Sequence, residues 1–178
     1  MQNPLHPTPL SLLLGLTALL IAPSTAPRFS NNGPQSADIE SPWVPFREAL
    51  ERAKRYDKKV LVFVDAPWCG WCKKMEASVF EDPKSLAAIQ PYFELARIGW
   101  DDSETHHRYQ GYRYSSMELA QKFGAIGTPT TVFLDAAGRP ITHFASYAAP
   151  AFYLDLLRYI GSDAYLTLRF EEFSDSAS

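Results

Sequence analysis

The sequence predicts an α/β fold, a short central mixed β-sheet flanked by helices. Three observations carry that expectation. Helix-like and strand-like segments alternate along most of the chain. The apolar run Val60-Leu61-Val62-Phe63-Val64 leads into two cysteines at the head of a helix-like stretch. Late in the chain, Ala136-Ala137-Gly138 turns one strand pattern back on another, which makes the two antiparallel neighbours.

The elements follow in order. Phe46, Ala49, Leu50 and Ala53 recur at helical spacing with charged residues between them, so Phe46 to Tyr56 reads as an amphipathic helix. Lys58 to Asp65 reads as a buried strand, and Gly70 to about Val79 as a helix. Asp82 caps a helix whose first turn holds Pro83 and which runs to Ile89. Phe93 to Gly99 is a second strand, and Asp101 to Tyr114 shows no clear period. Ser115 or Ser116 caps a helix that ends at Gly124. Thr130 to Asp135 and Ile141 to Ala145 are the paired strands, and Pro150 opens a last helix that stops at Gly161.

The chain has 178 residues, 46% of them apolar, enough for one domain with a real core. A net charge of -3 gives no footprint for nucleic acid. Leu10 to Ala22 is an almost unbroken apolar run, too short to span a membrane and suited to the core of a secretory signal. No Lys or Arg precedes it, and Pro27 after Ala26 disfavours cleavage there, so the cut is not placed and an uncleaved anchor stays open. Residues 1–26 are expected to be a signal peptide and 27–44 a flexible tether rich in proline. Export points to a periplasmic or otherwise extracytoplasmic site.

Trp68-Cys69-Gly70-Trp71-Cys72 holds the only two cysteines. Unpaired amides at a helix N-terminus stabilise an anion, so a thiolate there forms more easily than at a free cysteine, whose pKa is about 8.5. The spacing brings the second sulfur to the first within one turn, and the pair reads as a dithiol–disulfide centre. A purely structural bridge over so short a loop constrains the unfolded chain only modestly. A structural zinc site needs four ligands, and His106 and His107, adjacent in sequence, are poorly placed to complete one.

With the element order in view, the chain resembles the thioredoxin superfamily over about Phe46 to Gly161. Two motifs carry the resemblance: Val64-Asp65-Ala66-Pro67-Trp68-Cys69-Gly70-Trp71-Cys72-Lys73 and Gly127-Thr128-Pro129-Thr130. It implies a thioredoxin-like domain over 45–163, a tail over 164–178, and a cis peptide at Thr128–Pro129 beside the reactive sulfur. More narrowly, the chain is similar to exported bacterial thioredoxin-related proteins, SoxW-like members among them, which share a longer connection before GTPT and a tail after the last helix. One departure stands out. Many thioredoxins place a buried acid six residues before the first cysteine, and Phe63 occupies that position here. Asp65 lies on the same side of the strand and is either a substitute acid for proton transfer or a polar strand end.

The expected mechanism has Cys69 as nucleophile and Cys72 as resolving thiol, with Gly70 and Trp71 tuning the potential. Trp68 either offers an apolar docking face or packs in the core. Backbone groups around Thr128 and Pro129 pair with an extended client peptide. Disulfide-containing client proteins and a membrane electron donor are the expected partners, with no metal, no cofactor beyond the cysteine pair, no nucleic acid, and a monomeric state. The resemblance favours reduction of clients. A disulfide-forming oxidase remains the alternative, as does a redox-inactive binding module that works through Asp101 to Tyr114, with Tyr109, Tyr112, Tyr114, Arg108 and Arg113 as contacts.

Overall fold

A computed structural model describes residues 41–177. The expected signal peptide, most of the tether and Ser178 lie outside the described residues. Within them, a five-stranded sheet has the spatial order β1-β3-β2-β6-β7. Its strands are β1 (Trp43–Val44), β2 (Lys59–Asp65), β3 (Phe93–Gly99), β6 (Thr130–Leu134) and β7 (Pro140–Phe144). β2 pairs in parallel with β3 and antiparallel with β6, so the sheet is mixed as expected. The sheet begins at Trp43, which pairs with Leu95, two residues ahead of the boundary expected at 45.

β2 is the centre of the sheet because both of its faces are covered. Leu61 and Phe63 point into one cluster with Cys69, Cys72, Met75 and Phe80, while Val60, Val62 and Val64 face the other with Phe46, Leu119 and Phe123. A strand buried on both sides has no polar face, which is why its sequence is an unbroken apolar run. Helix α1 (Phe46–Tyr56) lays Phe46, Ala49 and Ala53 on the second face. Its outer side carries the Arg47–Glu51 and Arg52–Glu48 pairs, each contributing only ~0.3–0.5 kcal/mol. On the first face α5 (Pro150–Gly161) buries Tyr153, whose hydroxyl meets the Thr131 hydroxyl at 2.6 Å. That bond satisfies a polar atom that would otherwise be costly to bury.

Helix termini follow the expected chemistry. Asp82 accepts from the Ser85 amide at the start of α3 (Pro83–Ile89). Ser115, rather than Ser116, caps α4 (Ser116–Lys122) in a reciprocal box with Glu118, a feature that stabilises a helix by ~1 kcal/mol.

Four details depart from the sequence expectation. Helix α2 (Gly70–Met75) does not continue as α-helix to Val79 but widens into a π-turn over Glu76–Phe80. The stretch Asp101 to Tyr114 is not irregular: it forms a hairpin of β4 (His106–Tyr109) and β5 (Tyr112–Ser115). Its two-residue turn, Gln110-Gly111, has positive φ at both positions, the twist that suits a tight hairpin. Tyr109 is not a surface contact, because it is buried and donates its hydroxyl to the Gly138 carbonyl. Finally, the tail is helical, forming α6 (Phe170–Ala177), while the packing of its Phe170 and Phe173 on Tyr159 of α5 is what their aromatic character leads one to expect.

Candidate functional site

The site is built at the end of β2. The chain leaves the sheet at Asp65, turns through a Cys69 amide to Ala66 carbonyl bond of 2.9 Å, and enters α2 with Cys69 as the N-cap. The Cys69 sulfur accepts the Cys72 amide at 3.0 Å, so the helix end supplies it with a donor directly. Cys69 and Cys72 are joined as a disulfide with Cα atoms 5.3 Å apart. Both are nearly closed to solvent, Cys69 at 5% and Cys72 at 2% exposure.

The two tryptophans that bracket Cys69 are outside the core. Trp68 is 66% exposed and Trp71 56%, which removes the core-packing alternative for Trp68. The Trp68 ring N–H donates to Asp101 at 2.8 Å, which ties the site to the start of the hairpin insertion. Trp71 packs against Tyr147 at 4.7 Å between ring centroids.

Beside Trp71 lies a groove of about 470 Å³ lined by the segment from Ile126 to Thr130 and by Ala145 to Tyr147. The Thr128–Pro129 peptide there is cis. The Thr130 hydroxyl donates to the Gly127 carbonyl at 2.7 Å and fixes the loop. The Thr128 hydroxyl has no hydrogen-bond partner among the described residues.

On the other side a recess of about 550 Å³ is lined by Cys72, Lys73, Asp65, Glu76, Arg97 and Asp101, among others. Asp65 lies 3.4 Å from the Arg97 guanidinium, which also pairs with Glu76. Burial pushes the Asp65 pKa above its ordinary 3.8, the Arg97 charge opposes that, and Glu76 adds to it. Phe63 is fully buried among Trp43 and Phe80, so no acid stands directly behind the disulfide at that position. The sequence reading missed Arg97, Glu76, Asp101 and Tyr147. Arg97 alone carried a signal, a charge inside a strand between the buried apolar residues Ala96 and Ile98.

Residues 46–161 match the sequence profile of the thioredoxin-like domain. The chain belongs to that family. Among similar proteins, the disulfide bond reductase DsbH of Chlamydia pneumoniae is 27% identical over 100 residues, spanning 56% of this chain and 59% of that one. A thioredoxin from Thermus thermophilus superposes with a TM-score of 0.52 at 27% identity, covering 66% of this chain and 85% of that one. A thioredoxin-fold protein from Helicobacter pylori gives 0.58 at 19% identity over 78% and 85% of the two chains, a likeness of fold. The matched stretch contains β2, the cysteine pair and the Thr128–Pro129 loop.

Asp65 offers a test that separates burial from ion pairing. Its native pKa is raised, so the folded protein holds the Asp65 proton more tightly than the unfolded chain does. Stability associated with that group is therefore present below about 3.8 and is lost as pH rises through the raised native value. Asp65→Asn should then be more stable than the parent at pH 7, with the gain shrinking to nothing near pH 3. Urea unfolding at both pH values measures this; an Asn variant less stable at pH 7 would mean the Arg97 pair outweighs desolvation.

Proposed function

We propose that the protein is a thiol–disulfide oxidoreductase of the cell envelope that reduces disulfides in client proteins. The observation that carries this is the Cys69–Cys72 pair at the head of α2, with the Cys69 sulfur on a helix-end amide and the cis-proline groove alongside. In the reduced protein, the Cys69 thiolate attacks one sulfur of a client disulfide. The client S–S bond breaks, a Cys69–client S–S bond forms, and the other client sulfur leaves as a thiol after taking a proton. Cys72 then loses its proton and attacks Cys69. The Cys69–Cys72 bond forms, the mixed disulfide breaks, and the second client thiol departs. One client disulfide becomes two thiols while the enzyme dithiol becomes a disulfide.

Other residues have roles in this scheme. Asp65, in the same recess as Cys72 and with a raised affinity for protons, takes the Cys72 proton before the second attack. Trp68 and Trp71 give the client an apolar surface, and the Gly127-Thr128-Pro129 backbone pairs with it as an added strand would. Gly70 and Trp71 fix the spacing on which the potential depends. The reaction needs no metal and no cofactor beyond the cysteines, and with both cysteines engaged no thiol is left for a covalent dimer, which favours a monomer.

The name of the Chlamydia relative as a reductase supports the reducing direction, and the apolar run Leu10 to Ala22 supports export. In an oxidising envelope the enzyme must itself be re-reduced, for which a membrane electron donor is the source we assign. The test is reduction of insulin disulfides by the dithiol form of the purified protein. Turnover that disappears in Cys69→Ser supports the reading; wild type without activity, or Cys69→Ser with full activity, refutes it.

A further inference from the structure

We propose that Lys74, Trp71 and Tyr147 form a subsite for an acidic side chain of the client, placed on the cis-proline side of the disulfide. The proposal rests on the oxidoreductase reading and adds to it a charge preference and a direction. The Lys74 ammonium lies 5.2 Å from the Trp71 ring centroid and 5.1 Å from that of Tyr147. The two rings touch each other and form one wall of the groove. A cation over two ring faces is held in place, while its outward N–H groups remain free for a carboxylate.

An exposed lysine without a partner is ordinary; the seat is what sets Lys74 apart. Lys58 and Lys59 are paired to Glu94 and Asp163, whereas Lys74 has no carboxylate in ion-pair range among the described residues. No charged side chain lines the groove itself, and Lys74, seated on two of its lining rings, sets a positive charge at its edge. Across the disulfide the opposite holds, since the recess gathers Asp65, Glu76, Asp101 and Asp102 around Arg97 and Lys73. An acidic client residue is therefore attracted on the Tyr147 side and repelled on the Asp101 side. A client strand laid along Gly127 to Thr130 is thereby given one preferred orientation.

The test uses disulfide-linked peptides that differ only in carrying Glu or Lys at each position flanking the cysteine, compared by kcat/KM at low salt. At one flank the Glu peptide should be preferred about fivefold, the scale of an exposed ion pair, and the preference should fade at high salt. Lys74→Glu should reverse the ratio, and Trp71→Ala should bring it toward one. A wild-type ratio within about twofold of one at every position, or a ratio unmoved by Lys74→Glu, overturns the subsite. If wild type reduces neither these peptides nor insulin, the oxidoreductase reading fails. The subsite is then judged by tryptophan fluorescence with the same peptides carrying Ser for Cys: tighter binding of the Glu peptide sustains it, and equal binding refutes it.

Discussion

Cys72→Ser is expected to abolish turnover and to leave the protein joined to its clients through Cys69. The reason is geometric. Cys72 is 2% exposed and already adjacent to Cys69, so its role is to displace a partner from Cys69 within the protein. Serine keeps the shape but is a far weaker nucleophile, so the first exchange proceeds and the second does not. Insulin reduction should fall by at least about a hundredfold, with a mixed disulfide visible on non-reducing gels and absent after reductant. The double variant with Cys69→Ser should show neither turnover nor trapping. Turnover retained in Cys72→Ser would show that clients are released by external thiols and that the pair does not act as a unit.

Phe63→Ala should cause the largest loss of stability of any conservative truncation near the site, about 3–5 kcal/mol in urea unfolding with an unchanged slope. Phe63 is fully buried on the central strand. Its ring centroid is 5.1 Å from Phe80 and 5.9 Å from Trp43, so it links β2 to β1 and to the π-turn. Neither neighbour can close the void easily, since Trp43 is also held by the Arg97 guanidinium at 4.6 Å and Phe80 by Tyr153. A loss below about 1 kcal/mol would mean that the wall behind the cysteines collapses readily and is not rigidly packed.

Most of the frame was legible because it rests on short-range rules. The buried strand at Val60 to Val64, the Asp82 and Ser115 caps and the Pro150 start each have a local chemical cause, and the observed bounds follow them. The hairpin was hidden because its strands are built from His, Arg and Tyr and its turn is Gln110-Gly111, without the usual Asn or Asp. The π-turn has no compositional signature. In α6, only Phe170 and Phe173 mark an apolar face in a short polar run, so the sequence pattern was faint.

The site divides in the same way. Cys69, Cys72 and Pro129 lie in contiguous motifs that could be read directly, and the fold brings their segments to one end of the sheet. Arg97 and Tyr147 reach the site from other strands and loops, and only the three-dimensional arrangement places them there. Asp65 sits between these cases. Strand period put it on the Phe63 side, while its raised proton affinity comes from burial and neighbours that no local pattern encodes.

The reduction potential of the Cys69–Cys72 couple, measured by equilibrating the purified protein in glutathione buffers, bears on this account more directly than any other quantity. A value near that of reducing thioredoxins, about -270 mV, is the expected result. A value near -120 mV, or cysteines that stay locked in one state across the range, would contradict it.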